Sequence, residues 1–281
     1  MSTGAGVSTT EDSSDGAPAD IARAFVDARL DARALPDYPG PVPDSLAEGY
    51  AIQELALGLY PGEVVGWKVG RIPPPLQARL GGERLAGPTF RRFLQIVESG
   101  ATVTLAAITG GFAAVEAEFV YRLGRDAPTD KTSYTLREAL ELVAGLHIGV
   151  EFAGSPLKTI NALGSTVVAS DFGNNAALVV GPEIPGWRDR ADATLPCETF
   201  VEGVSVGAGS AASIPDGPAA ALAFLLGHCA ARGRPLTAGM YVTTGAATGI
   251  HDIFAGQSAR VSFGEFGEIF CVAEEARPTA R

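Results

Sequence analysis

The sequence has few of the residues that build thiolate metal sites, disulfides or nucleic-acid interfaces. Its three cysteines, Cys197, Cys229 and Cys271, are far apart and odd in number. They fit no zinc spacing and no disulfide framework, so a reduced, cytoplasmic compartment is expected. Only three of the 21 basic residues are lysines, and the net charge is −11. That charge balance argues against nucleic acid or an anionic membrane as a partner.

The sequence also lacks long apolar runs, and its first residues lack the basic and apolar regions of a secretory signal. Residues 1–17 are mainly Ser, Thr, Gly, Ala and acidic residues, with a single Val. Such a segment cannot bury enough apolar surface to offset the entropy of ordering, so it is predicted to be a disordered arm. The full sequence of 281 residues is 46% hydrophobic, and residues 18–281 are predicted to form one domain with a sizeable core.

Several helices are predicted around a strand-rich remainder. Residues 18–62 form a helical N-terminal part, with one amphipathic helix over Ala19–Ala34 and a second that follows the capping box Ser45–Glu48. A second capping box at Thr135–Glu138 predicts a helix that ends at Gly145. The remaining predicted helices are short ones over 73–80 and 90–96 and a core helix from Pro218 to Arg232.

Two glutamates lie two residues apart on a predicted strand, Val115–Tyr121. Side chains alternate along a strand, so Glu116 and Glu118 share one face and apolar residues share the other. Two carboxylates only about 6–7 Å apart repel each other on a half-buried strand unless a cation lies between them. Carboxylate oxygens are ligands that Mg²⁺ and Mn²⁺ prefer. A solvated strand face that carries two glutamates is the alternative.

A third carboxylate, Glu151, lies on another predicted strand, Leu146–Phe152, and completes a set of three with Glu116 and Glu118. His147 is on the same face as Glu151, but a lone strand histidine is more often hydrogen-bonded than a ligand. It is left out of the predicted metal site.

Lys68 lies between Gly66 and Gly70 on one face of a predicted strand, and strand glycines often mark close approach of a ligand. In that apolar setting an amine has its pKa lowered by desolvation or pairs with an anion. A surface lysine whose stem lies on apolar residues is the alternative. The loop with Gly245 and Gly249 presents backbone N–H groups to an anion, or is a plain hairpin loop.

Taken in order, several stretches resemble the 2-keto-4-pentenoate hydratase branch of the fumarylacetoacetate hydrolase superfamily, over roughly residues 20–270. The stretches are Glu48–Gln53, Gly66–Gly70, Val115–Glu118, Gly149–Glu151, Ser170–Asp171 with the strand to Gly181, and Pro218–Gly233 with Thr244–Gly245.

The resemblance implies an α+β, β-rich fold, a mixed β-sandwich roll with helices around it. It implies Mg²⁺ or Mn²⁺ held by Glu116, Glu118 and Glu151, with Lys68 as the active-site lysine. Asp171 is a weaker candidate for acid–base or positioning work, and the substrate-contact candidates are Lys68, Asn175, Thr244 and Gly245. Three residues depart from the pattern of the hydratases: Gly154, Phe172 and Ala246.

The activity that this resemblance implies is a metal-dependent hydratase of a 2-oxo or 2-hydroxy-dienoic acid from aromatic-compound degradation. In that activity the acid would chelate the metal and an enolate would form next to Lys68. Tautomerisation would give an α,β-unsaturated ketone, to which water would add at C4. Three alternatives remain: a 4-oxalocrotonate-type decarboxylase, an acylpyruvate hydrolase, and a non-catalytic metal-binding partner subunit. No histidine precedes His147, which disfavours the hydrolase because it generally uses a His–Glu pair there. A homo-oligomer is expected, with a complex with a decarboxylase relative as a further expectation.

Overall fold

A computed structural model describes residues 16–279 of the chain and contains seven α-helices within that range. None of these helices is both long enough and apolar enough to cross a membrane. Their bounds are α1 Gly16–Leu30, α2 Leu46–Leu59, α3 Pro74–Leu80, α4 Leu136–Leu140, α5 Ile160–Leu163, α6 Ser165–Ser170 and α7 Pro218–Ala231.

Two β-sheets contain the thirteen strands of the described residues. The strands are β1 Val64–Arg71, β2 Arg84–Phe90, β3 Leu94–Ile96, β4 Thr102–Ala107, β5 Phe112–Leu123, β6 Val143–Ser155, β7 Asn175–Glu183, β8 Pro196–Val201, β9 Val204–Ser210, β10 Tyr241–Thr243, β11 His251–Asp252, β12 Ser258–Ser262 and β13 Glu268–Glu275.

The larger sheet has the order β2-β1-β10-β5-β6-β7-β3, with β11 paired to β5. The smaller sheet has the order β4-β13-β12-β8-β9. The apolar face of β5, which includes Val115 and Phe119, belongs to the main core. The ring of Phe119 meets that of Phe263, next to β12, edge to face at 5.5 Å. Since one face of β5 is used by this core, its glutamates point to the opposite side of the large sheet.

A second apolar cluster lies under the N-terminal helices. Phe25 of α1, Ile52 of α2 and Val167 of α6 belong to it. The predicted helical N-terminal region is therefore present, although α1 spans Gly16–Leu30 rather than Ala19–Ala34. The predicted disordered arm lies outside the described residues except for its last two, which belong to the first turn of α1.

One predicted helix is wrong and another is shorter than predicted, because sheet pairing takes their residues. The stretch 90–96 contains the end of β2, one 3₁₀ turn and β3, which pairs in parallel with β7. The helix predicted from Thr135 to Gly145 ends at Leu140, since β6 begins at Val143 and pairs along its length with β5. Both capping residues, Ser45 and Thr135, accept a hydrogen bond from the backbone N–H three residues later, as predicted.

Candidate metal centre and substrate cavity

The three predicted glutamates meet at the middle of the large sheet. Glu116 of β5 is directly opposite Glu151 of β6 in the antiparallel register, and Glu118 follows on the same face of β5. All three are buried, and each offers an oxygen within 4.8 Å of the others. Alternation fixes the face, and the register places the third carboxylate beside the first two.

The electrostatics of this cluster fit a bound cation. Burial, opposed by Lys68 and reinforced by Glu151, raises the pKa of Glu116 to about 8. Burial, followed by the carboxylates of Glu151 and Glu116, also raises the pKa of Glu118 well above its usual value. Oε1 of Glu116 and Oε1 of Glu118 are buried and have no hydrogen-bond partner among residues 16–279. Two orphaned oxygens beside a third carboxylate are a donor set that suits a hard divalent ion.

Lys68 lies against this cluster, 4% exposed on β1. Its Nζ is 3.0 Å from Oε1 of Glu151 and donates to Oδ1 of Asn174 at 3.0 Å. Burial lowers its pKa, but the carboxylates of Glu151 and Glu116 outweigh burial and raise the pKa above 10.5. The sequence left two possibilities for this amine, a pKa lowered by desolvation or a pairing with an anion. The structure shows the pairing, since Nζ contacts the carboxylate of Glu151.

The backbone N–H groups of the Thr244–Gly245 loop also meet an anion, and that anion is Glu118. Thr244 N and Gly245 N donate to Oε2 of Glu118 at 2.9 and 2.7 Å. Glu151 is held by the hydroxyl of Thr243 at 3.1 Å and by the amide of Asn175 at 3.3 Å. These donors fix the carboxylates and leave Oε1 of Glu118 free.

Asp171 lies behind the site and does not line its cavity. Its carboxylate pairs with the guanidinium of Arg29, with Nε to Oδ1 at 2.6 Å and Nη2 to Oδ2 at 2.9 Å. Ser155 donates to the same carboxylate at 2.6 Å. Arg29 also donates to the carbonyl oxygens of Gly154 and Asn175. Both oxygens of the Asp171 carboxylate are therefore hydrogen-bonded to side chains outside the cavity wall.

A cavity of about 640 Å³ opens over the cluster, within the range of small-molecule sites. Its lining residues include Lys68, Glu116, Thr244, Gly245, Ala246, Arg71 and Arg84. Ala246 therefore lines the cavity where the hydratases often have a serine. Phe172, another departure, instead packs edge to face against Phe90 with ring centroids 5.2 Å apart.

Two residues at the site escaped prediction, Asn174 and Arg29. Asn174 lies between Asp171 and Asn175, and a cluster of Asp and Asn is typical of a turn but leaves the direction of each side chain open. In the sequence, Arg29 looks like an ordinary charged residue on the polar face of an amphipathic helix. Its partner Asp171 lies 142 positions away in the chain. No local signal in the sequence indicates such a contact.

The structure matches solved enzymes across most of its length. A 4-oxalocrotonate decarboxylase of Pseudomonas putida G7, solved with magnesium and adipate, superposes with a TM-score of 0.72 and 19% identity, covering 91% of this chain and 97% of that chain. The chain has the fold of this decarboxylase. A fumarylpyruvate hydrolase of Pseudomonas aeruginosa, solved with Mn²⁺ and pyruvate, gives a TM-score of 0.55 at 17% identity, covering 76% of this chain and 91% of that chain. The predicted β-rich α+β fold of the fumarylacetoacetate hydrolase type is confirmed.

Sequence comparison alone is less informative. No family model matches the chain. A protein named REH2-associated factor 2, from Trypanosoma brucei brucei (strain 927/4 GUTat10.1), is 28% identical over 202 residues, which is 70% of each chain.

Proposed function

We propose that this chain is a divalent-metal-dependent hydratase of a 2-hydroxy- or 2-oxo-dienoic acid. One observation carries the proposal: the buried carboxylates of Glu116, Glu118 and Glu151 meet beside the buried Lys68, and two of them have an orphaned oxygen. Glu116 and Lys68 also line a cavity. Solved enzymes of the same fold hold Mg²⁺ with adipate or Mn²⁺ with pyruvate. Mg²⁺ or Mn²⁺ is the proposed cofactor.

The three glutamates would hold the cation, which when bound supplies Lewis-acid stabilisation of charge that develops on the 2-oxo oxygen of a substrate. Lys68 lies next to that position, with its Nζ 3.0 Å from Oε1 of Glu151 and 3.0 Å from Oδ1 of Asn174. We infer that it stabilises the charge of the enolate or moves a proton as the enolate forms.

Decarboxylation is a second candidate, and the placement of Asp171 favours it. Addition of water is helped by a group that takes a proton from the water. Asp171 is committed to Arg29 and Ser155, and no histidine lines the cavity within the described residues. Loss of CO₂ from the distal carboxylate of a 2-oxo-3-alkenedioic acid leaves the electron pair of the broken C–C bond on a dienolate that the same site would stabilise. The dienolate then takes up a proton, and no activated water is needed.

Metal binding is the first test of the proposal. Calorimetry of EDTA-treated protein should show one Mg²⁺ or Mn²⁺ site per chain. Glu118→Gln keeps an oxygen for the two backbone N–H groups but removes the charge, so it should weaken binding by more than about 100-fold. Glu98→Gln, at an exposed position, is the matched control. Unchanged affinity in Glu118→Gln would refute the assigned ligands.

Product analysis then separates the reactions. The metal-loaded protein is incubated with 2-hydroxypenta-2,4-dienoate and with 2-hydroxymuconate-type acids. Mass spectrometry then measures the molecular mass of each product. A gain of one water supports the hydratase, and a loss of CO₂ supports the decarboxylase. Intact substrate with a functioning metal site contradicts both and points to a partner subunit without turnover.

A further inference from the structure

A second cavity, of about 460 Å³, lies on the opposite side of the large sheet from the glutamates. Tyr121 of β5 and Leu146 of β6 line it. Tyr121 is three positions from Glu118 and Leu146 is five positions from Glu151, so strand alternation puts each pair of side chains on opposite faces. Among the described residues, none lines both cavities. The second cavity is therefore separate from the proposed metal site.

Much of the wall of this second cavity is apolar. The buried side chains of Leu146, Trp187 and Leu195 contribute to it, and the rings of Tyr121 and Trp187 meet edge to face at 5.7 Å. The volume is within the range of small-molecule sites. Such a wall suits an aliphatic or aromatic group that leaves water when it binds.

The hydroxyl of Tyr121 is a polar group in this wall that has no partner. Only 4% of Tyr121 is exposed, and its hydroxyl makes no hydrogen bond within residues 16–279. Burial raises the pKa of Tyr121, while the nearby Asp192 raises it further and Arg188 lowers it. Both of these charged residues line the same cavity. The hydroxyl therefore lies close to the two charges and is free to donate a hydrogen bond to a ligand.

Arg188 carries a charge that no carboxylate of the described residues balances. Its Nη1 and Nη2 donate to the carbonyl oxygens of Leu140 and Val143 at 3.1 and 2.7 Å. Its Cζ lies 4.2 Å from the centre of the Trp187 ring. These contacts hold the guanidinium in place, and its remaining N–H groups stay available for an anion.

Asp192 is the matching anion. Its carboxylate makes no hydrogen bond and no ion pair within residues 16–279, and burial raises its pKa. It lies beside Gly217 at the start of α7, where the helix dipole also favours a carboxylate. The other charged residues of the wall, Arg137, Glu141 and Arg190, are all in ion pairs. In the described part of the chain, this wall thus has one unpaired cation and one unpaired anion.

We propose that the second cavity binds a zwitterion with an apolar body, which is the chemistry of an α-amino acid with an aliphatic or aromatic side chain. Arg188 binds the carboxylate, Asp192 binds the ammonium, and the hydroxyl of Tyr121 donates to the carboxylate. A simple anion would be repelled by Asp192, and a simple cation by Arg188. The inference does not depend on the proposed function, because the two cavities lie on opposite faces of the sheet.

Three ligands that share a phenyl ring isolate the two charges. L-Phenylalanine has both charges, 3-phenylpropanoate lacks the ammonium, and 2-phenylethylamine lacks the carboxylate. Calorimetry with the full chain should show phenylalanine binding at least about tenfold more tightly than either analogue, since one hydrogen bond to a charged group gives that order of effect. L-Leucine tests an aliphatic side chain. The affinities should be equal with Mg²⁺ and with EDTA, because the cavity is separate from the metal site.

Asp192→Asn should lower the affinity for phenylalanine to about that of 3-phenylpropanoate, and Arg188→Gln to about that of 2-phenylethylamine. Asp189→Asn and Arg79→Gln remove the same charges from exposed positions outside this wall, and both should bind like the wild type. Thermal melts check the fold of each variant, and Asp192→Asn alone decides the test if Arg188→Gln does not fold.

Three results would overturn the inference. The first is that neither phenylalanine nor leucine binds to the wild type. The second is that 3-phenylpropanoate binds as tightly as phenylalanine, or that Asp192→Asn keeps full affinity, since Asp192 would then serve only the start of α7. The third is binding that requires Mg²⁺, which would place the ligand at the glutamates.

Discussion

Lys68 has contacts that set its charge and its position at once. The carboxylate of Glu151 and the amide oxygen of Asn174 each lie 3.0 Å from its Nζ. With 4% of the residue exposed, the ammonium is desolvated, and only the nearby carboxylates keep it charged. An ammonium fixed in this way stabilises new negative charge without reorganisation when a substrate reacts beside it.

Lys68→Met should lower kcat by roughly 10²–10³-fold, as for loss of one preorganised donor, with a smaller change in KM. Mg²⁺ affinity should not fall, because an ammonium is not a ligand and its removal leaves Glu151 free for the cation. Steady-state kinetics with metal titration measure both.

Lys158→Met, which removes an exposed lysine, is the control and should match the wild type. A rise in KM alone would make Lys68 a substrate anchor. If neither constant changes, Lys68 has no part in the reaction.

The raised pKa of Glu116, about 8 because of burial, predicts a pH dependence for the metal-free protein. The folded state keeps the proton up to about pH 8, whereas the unfolded chain releases it near 4.5. The folded state therefore binds more protons in this window, and stability falls as the pH rises. A divalent cation replaces the protons and removes this loss.

The difference in Tm between protein with Mg²⁺ and protein with EDTA should widen from pH 6 to pH 8. Thermal melts at four or five pH values, at constant ionic strength, measure it. A difference that stays constant across this range would mean that Glu116 is already ionised without metal.

At the scale of elements, a left-handed turn connects the helices to the site. Phe172, Gly173 and Asn174 have φ of 53°, 63° and 55°, a conformation that costs about 1–2 kcal/mol for each non-glycine residue. Packing maintains it: the turn lies against Gly87 of β2, where a Cβ would come within 1.9 Å of the carbonyl oxygen of Phe172. The turn directs the side chain of Asn174 to Lys68.

Gly87→Ala should therefore displace this turn and disturb the Lys68–Asn174 contact. We expect a destabilisation of about 1–3 kcal/mol, as for overpacking, together with reduced turnover. Gly58→Ala is the control, because its Cβ would meet nothing within 4 Å and alanine favours the helix by up to about 1 kcal/mol. Denaturant unfolding and kinetics test both variants, and full stability in Gly87→Ala would contradict the packing argument.

At the scale of the whole molecule, α1 is joined to the back of the site. Arg29 near its end bonds Asp171 and the carbonyl oxygens of Gly154 and Asn175, while Phe25 lies in the second apolar cluster. Asn175 in turn bonds Glu151. The N-terminal helix thus supports the carboxylate cluster through one layer of polar contacts. The expected homo-oligomer stays a prediction.

Residues 1–15 should be dispensable, since they carry few apolar side chains. A chain that begins at Gly16 should keep its Tm within a few degrees. Deletion of residues 1–35 also removes Ile21, Phe25 and Leu30, all buried, and should lower the Tm by more than about 10 °C at roughly 2 kcal/mol per side chain. A large loss from the shorter deletion would show that the first residues contact the folded chain.

The sequence by itself determined the features that depend on neighbours along the chain. Strand alternation placed Glu116 and Glu118 on one face and Lys68 between its glycines. Helix starts at Ser45 and Thr135 followed from side chains that bond backbone groups three residues away. The residues in each of these interactions are close together in the sequence, so the local sequence pattern predicts them.

Tertiary structure alone decided the contacts between distant segments. The register opposes Glu116 to Glu151, and β10 lies between β1 and β5, which brings Lys68 to the cluster. Arg29 bonds Asp171, 142 positions away in the sequence, and Lys68 bonds Asn174, 106 positions away. Strands replace the helix predicted at 90–96 and the last part of the helix predicted to run to Gly145. The hydrogen bonds and packing between paired strands outweigh the weak helix propensity of these residues. Such contacts depend on the folded arrangement of the whole sheet, which no window of the sequence contains.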